Sequence, residues 1–140
     1  MSLAQITLAT NKTVSNVDDY VRKIGQGEKG QILPVLVTDI NGSAYDLTGK
    51  NLVFSENKDS GVIVVDDGSD VKSGKFTPVD LKNGRFDYTL QEQVYMEDGT
   101  CWFDIVNQDG TVVDTTRSFE FVVIPDVKIN VNSDSYVSSL

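Results

Sequence analysis

The residues that could do chemistry in this chain are mostly acids. Asp66-Asp67-Gly68-Ser69-Asp70 crowds carboxylates into one short loop. Oxygen groups at such spacing can hold Ca²⁺, which takes ~6–8 oxygen ligands, but no Glu stands at the closing position of an EF-hand loop. The expected reading is a solvated hairpin tip. Asp18-Asp19 and Glu97-Asp98 are adjacent acid pairs, and with 21 acidic residues such pairs arise without design. A glycosidase would need two carboxylates ~5–9.5 Å apart across a sugar cleft. Cys101 is the one thiol, beside the one tryptophan, Trp102. A reactive thiolate wants a nearby cation or a helix N-terminus; a small buried hydrophobe is the expected role. Gly25-Gln26-Gly27-Glu28-Lys29-Gly30 is rich in glycine but lacks the G-x-x-x-x-G-K-[ST] pattern, and no helix follows. It reads as a crossover between strands or a bulged start to one.

What is missing narrows the field further. The 140 residues include no His, so the commonest general base and metal ligand are gone. No Ser-His-Asp or Cys-His machine can be built, and one Cys allows neither an internal disulfide nor a thiolate zinc cluster. Lys and Arg number 12 against 21 Asp and Glu, a net charge of 12 − 21 = −9. That field repels a phosphate backbone and an anionic membrane surface, so neither is an expected partner. The longest unbroken apolar runs, such as Val62-Ile63-Val64-Val65, are far shorter than the ~20 residues of a membrane helix or the ~7–15 of a signal peptide. Most enzyme classes are disfavoured, and no cofactor or metal is expected. At 15.4 kDa the length suits one domain with its own core.

The elements that must position these residues are strands. Phe86, Tyr88 and Leu90 alternate with Arg85, Asp87 and Thr89, and Phe119, Phe121 and Val123 with Glu120, Val122 and Ile124. Cys101, Phe103 and Ile105 share a face opposite Trp102, Asp104 and Val106, and Ile6 and Leu8 alternate with Gln5 and Thr7. Period two is the signature of half-buried strands. Asn41-Gly42, Asp67-Gly68, Asn83-Gly84, Asp98-Gly99 and Asp109-Gly110 supply the turns. Strands are expected near 4–9, 14–23, 31–39, 51–56, 61–66, 71–77, 84–90, 100–107, 111–116 and 118–124, with a short helical turn at 91–96. Pro34 cannot donate to a ladder, which predicts an edge or a bulge there. The fold class is all-β: an immunoglobulin-like sandwich of mostly antiparallel strands over 1–125. Beyond Pro125 the composition turns to Asn, Ser and Asp, which predicts a short polar arm over 126–140.

Asp46-Leu47-Thr48-Gly49 reads as a turn clamp: two side chains that can bond nearby N–H groups, a core plug, and a glycine free to turn left-handed. The termini are expected either to make partner contact, through Ile6 and Leu8 on the first strand and Tyr136 in the arm, since terminal strands can add to a neighbour's sheet, or to be plain mobile ends. Trp102 is either core or a docking anchor.

Three stretches together resemble one family. They are Lys23-Ile24-Gly25-Gln26-Gly27-Glu28-Lys29-Gly30-Gln31 running into an apolar segment, Asp39 through Gly49 followed by Leu52-Val53-Phe54, and Gly99-Thr100-Cys101-Trp102-Phe103-Asp104-Ile105 followed by a hairpin ending at Phe119-Glu120-Phe121-Val122-Val123. In this order and spacing they resemble the N-terminal domain of the baseplate upper protein of siphophages that infect Gram-positive bacteria, over roughly residues 15–125. Ser133 to Leu140 resembles the lead-in to the helix that follows this domain in relatives, and the chain stops before any such helix. The resemblance implies a virion part at the tail tip, made in the host cytoplasm, with a β domain that anchors the receptor-binding apparatus to the baseplate. It implies baseplate and receptor-binding proteins as partners, a homo-oligomer of three or more in the virion, and no catalytic residues. A cell-surface adhesion or carbohydrate-binding module of the same architecture is the alternative.

Overall fold

Side-chain alternation sorts the chain onto two faces. In β8 (Gly99–Val106), Cys101, Phe103 and Ile105 are buried while Thr100, Trp102 and Asp104 are half-buried. The same phase holds along β7 (Arg85–Thr89), where Phe86 and Tyr88 point inward. The structure is a computed structural model that describes residues 2–10, 20–70 and 74–125. The other strands are β1 (Ile6–Ala9), β2 (Val21–Gly25), β3 (Ile32–Thr38), β4 (Asn51–Lys58), β5 (Ile63–Asp66), β6 (Lys75–Asp80), β9 (Val112–Thr115) and β10 (Phe119–Ile124). Short 3-10 turns at Leu81–Asn83 and Glu92–Tyr95 complete the elements, the second where a helical turn is expected.

Two mixed sheets form the layers. One runs β1-β3-β7-β6 and the other β2-β10-β8-β4-β5, with β9 also paired to β8. Two ladders are parallel, β1 with β3 and β10 with β2, and the rest are antiparallel. The expected sandwich is therefore present, mostly antiparallel. Its core is aromatic: Phe54 of one sheet stacks on Tyr88 of the other at 4.7 Å between centroids, and Phe103 meets Phe86 edge-on at 5.2 Å. Such pairs contribute ~0.5–1.5 kcal/mol each beyond the area they bury.

Boundaries shift where the sequence pattern is weak. β2 begins at Val21, and residues 14–19 of the expected second strand lie outside the described residues, as do 71–73 of the expected sixth and the arm at 126–140. β6 extends to Asp80 through Pro78, which it can do because it ends its sheet. Pro34 is not at an edge, and the irregularity expected beside it falls on the β1 side. The residue lies within β3, between β1 and β7, and the β3–β7 register passes it without a shift. Val37 N–H donates to Gly84 O and Leu90 N–H to Gln31 O, so odd-numbered residues of β3 face β7 and Pro34 turns its bare nitrogen toward β1. There the parallel ladder is interrupted: Ser2 bridges Ile32, and regular pairing resumes only at Ile6 with Val35. A missing donor is tolerated inside a sheet because the neighbouring chain leaves the ladder opposite it.

Candidate docking surface

Three of the four expected contact residues, Ile6, Leu8 and Trp102, fall among the described residues. Ile6 and Leu8 are 1 % and 0 % exposed, so their side chains belong to the interior. Any contact made by β1 therefore falls to its main chain or to Gln5 and Thr7 on the opposite face. Part of that main chain is already occupied. The Arg22 guanidinium donates to Ala4 O at 3.0 Å and to Gln5 O at 2.7 Å, and Arg117 N–H donates to Ala9 O at 2.8 Å. These bonds tie the edge of one sheet to the corner of the other. Arg117 is itself buried and lies over the Tyr20 ring, 3.2 Å from its centroid. Tyr136 lies outside the described residues.

Trp102 stands half-buried on the outer face of the larger sheet, not between the sheets. It borders a small hollow with Thr115, Thr116 and Ser118. The hollow exists because the chain leaves β8 between β9 and β10. Thr116 Oγ1 there accepts from Phe103 N–H at 3.1 Å, in place of a main-chain acceptor. In the register, Trp102 sits opposite Ser55, and Ser55 opposite Val65. The outer face thus carries a mostly uncharged row from Trp102 to the far edge strand.

The acidic groups are committed to holding the fold. Asp66 was expected in a solvated tip; instead it is 1 % exposed. Its Oδ1 accepts from Gly68 N–H at 2.9 Å, and its Oδ2 from Gly74 N–H at 2.7 Å and from the Tyr88 hydroxyl at 2.6 Å. The carboxylate is consumed by the crossover from β5 to β6. Asp67 keeps to the loop, accepting from Ser69 N–H and Oγ, which hold its carboxyl below the usual range. Glu97 accepts from Ser60 N–H and Asp98 from Val123 N–H, so this pair fastens two turns. No three His, Cys, Asp or Glu side chains cluster for a metal among the described residues.

The remaining motifs are turn chemistry. Thr48 N–H donates to Asp46 Oδ1 at 2.9 Å, Lys50 N–H to Leu47 O at 3.0 Å, and Leu47 is fully buried. Gly49 has a φ of 74°, as the clamp requires. Gly25 N–H donates to Glu28 Oε1 at 2.6 Å, closing the turn between β2 in one sheet and β3 in the other. Cys101 is buried, and burial followed by the nearby Glu56 carboxylate pushes its thiol well up, away from nucleophilic ionisation.

One polar group escaped the sequence reading. Glu56 is 0 % exposed on the inner face of β4, with Lys58 Nζ 3.1 Å from its Oε1. Lys58 also donates to Glu97 O at 3.0 Å, tying β4 to the loop after Glu92–Tyr95. The signal was available: Leu52, Phe54, Glu56 and Lys58 share one phase of a period-two strand.

Among the described residues the hollow richest in acids is lined by Asp59, Glu97 and Asp98, and two of these already accept main-chain N–H groups; the polar interior serves the fold, and the surface is what remains to meet partners. No curated protein matches the chain. The family model of the BppU N-terminal domain matches residues 2–140, a wider span than the three motifs that carry the resemblance. The chain therefore belongs to the BppU N-terminal domain family, the N-terminal domain of the phage baseplate upper protein, a structural family of the virion tail.

Proposed function

We propose that this domain anchors the host-adsorption apparatus to the tail tip of a phage or prophage particle. The family match over residues 2–140 carries the reading. The placement of the acids supports it: buried Asp66 is spent on the Gly68 and Gly74 N–H groups and the Tyr88 hydroxyl, and Glu97 and Asp98, which line a surface hollow, accept from the Ser60 and Val123 N–H groups. In this reading residues 1–125 dock onto other baseplate proteins, and 126–140 lead toward the segment that carries or recruits the receptor-binding protein. The chain is made in the host cytoplasm and enters the virion as an oligomer of three or more. Repetition around the tail supplies avidity without a tight single contact. Trp102 is the side chain assigned to contact on the larger sheet, because a half-exposed indole beside a hollow is the kind of anchor that interfaces favour.

Tails from a phage lacking this chain test the reading. They should contain the tube and the tip but lose the receptor-binding protein, seen by mass spectrometry, and adsorb poorly. Tails that keep a full complement of receptor-binding protein would sink it. A glycan screen and a calcium titration on the purified chain should both be flat; saturable sugar binding at the Trp102 hollow would favour an adhesion module instead.

A further inference from the structure

Sheet edges are where a β protein must defend itself or be met by another chain. β6 is guarded by Pro78, by Lys75 and by a register shift between Pro78 and Asp80. β1 is closed in part by Arg22 and by Arg117 N–H. β5, at the end of the larger sheet, has no such guard. Lys58 N–H donates to Val62 O at 2.8 Å, and this sets the phase of the β4–β5 ladder. Val62, Val64 and Asp66 turn their main-chain groups to β4, so Ile63 and Val65 turn theirs outward. No described residue bonds the N–H or C=O of Ile63 or Val65. Their side chains are 67 % and 66 % exposed on the outer face. Two adjacent rungs of open main chain thus coincide with two exposed β-branched side chains.

We propose that the outer edge of β5 is a docking strand that takes an extended segment of a partner protein, apolar at alternate positions and basic at its ends, as one more strand of the larger sheet. Main-chain bonds to Ile63 and Val65 would supply the pairing, and the two exposed side chains would set the register. Charge selects the occupant. Asp67 and Asp70 line the groove beside β5, with no Lys or Arg among its described lining residues. The turn that opens β5 carries Asp59 and, bonded to Ser60 N–H, Glu97. A second copy would bring the same acids to the same edge on a chain of net charge −9, so an isologous pairing sets like charge against like. The proposal rests on the docking role argued above and adds the partner's chemistry.

The test is an amide NMR titration of the full chain with a short Val-Thr-Val-Thr-Val peptide flanked by lysines, beside its glutamate-flanked counterpart. The lysine form should shift the Ile63 and Val65 amides saturably, and bind at least ~10-fold more tightly than the glutamate form, a difference of ~1.4 kcal/mol. Val65→Pro removes one outward N–H without touching the β4 ladder. It should weaken the lysine peptide at least ~10-fold while the urea midpoint stays close to that of the parent chain. Equal response to both peptides, shifts confined to other strands, or no response would overturn the proposal. So would self-association abolished by Val65→Lys, which would assign the edge to a second copy. Failure here with the chain still present in tail particles removes the edge assignment and leaves the baseplate reading standing.

Discussion

Two carboxylates are buried on adjacent strands of the larger sheet's inner face, and they are treated differently. Asp66 on β5 accepts three hydrogen bonds, from Gly68, Gly74 and Tyr88. Neither carboxylate oxygen of Glu56 on β4 has a well-formed hydrogen bond from a described donor; the Lys58 ammonium, 3.1 Å from Oε1, and the Cys101 thiol are what favour its charge. A carboxylate wrapped in donors stabilises the loop that supplies them. One balanced chiefly by a cation must offset two desolvations with a single Coulomb attraction, which often fails to break even. The acidity follows this difference. Burial lifts the Glu56 carboxyl above its ordinary value, and Lys58 only partly counters it. The native state therefore keeps that proton to higher pH than the unfolded chain does, and this site's contribution to folding falls away as pH rises from about 4.5 through the raised native value. The Asp66 region is a staple; the Glu56 region is a strap whose use lies in tying β4 to the loop after Glu92–Tyr95.

The largest effect should come from cutting the staple. Asp66→Ala orphans the buried Gly74 N–H and Tyr88 hydroxyl, at ~1–3 kcal/mol each, while the exposed Gly68 N–H turns to water, so a loss of about 2–6 kcal/mol is expected in urea unfolding. That is a large part of the ~5–15 kcal/mol that holds a typical domain together. Cutting the strap separates the two cases further. Lys58→Met alone leaves Glu56 buried and uncompensated and should cost about 3–5 kcal/mol, whereas Glu56→Leu with Lys58→Met should be neutral or stabilising by up to about 4 kcal/mol. If the double variant is as unstable as the single, the pair supports the fold and the comparison fails. Gly74→Ala comes next: a Cβ there would overlap the Thr89 carbonyl and crowd the Tyr88 ring, neither of which can yield, at a cost of about 1–3 kcal/mol. At Gly99 the nearest atoms a Cβ would meet run from Cγ to Oε2 of the Glu56 side chain, so shortening Glu56 to Ala should relieve Gly99→Ala, and no such shortening should relieve Gly74→Ala, whose nearest contact is a main-chain carbonyl.

The contrast also marks what the sequence could reveal. The clamp at Asp46–Gly49 was legible in full because its bonds join residues two or three positions apart. The faces of β7, β8 and β10 were legible because period two is a local property. Asp66 was misread because its partners Gly74 and Tyr88 lie 8 and 22 positions away, and nothing local tells a bonded aspartate from a solvated one. For Pro34 the irregular pairing was legible but its place inside the sheet was not. The rule that proline avoids interior strands concerns hydrogen-bond partners, and here the neighbouring chain leaves the ladder at that point. Trp102 was placed on the correct face of β8, but only tertiary pairing shows that this face has no covering sheet. Glu56 and Lys58 share the buried phase of β4, but the general rule that charges face out points the other way.

The smallest effect gives the cleanest reading of the staple, because it changes one atom. Tyr88→Phe removes the hydroxyl that donates to Asp66 and leaves the ring packed on Phe54. The lost bond should cost about 1–2 kcal/mol at neutral pH. Its second consequence appears only in alkali. Burial, reinforced by the Asp66 carboxylate, pushes the Tyr88 phenol far above its ordinary value of 10.0. In the unfolded chain it ionises normally, so above pH 10 the native state holds a proton that the unfolded state has lost. Stability then falls as pH rises, by ~1.4 kcal/mol per pH unit for one such group. Tyr45, bonded to Asp114 and raised to about 12 chiefly by burial, adds a loss of the same sign that levels off near that value. Urea unfolding between pH 9 and 11.5 should therefore show a steep decline for the parent chain and a shallower one for Tyr88→Phe, smaller by ~1.4 kcal/mol per unit. Parallel declines would mean that the Tyr88 phenol ionises as freely folded as unfolded, and that Asp66 is held by its two main-chain donors without it.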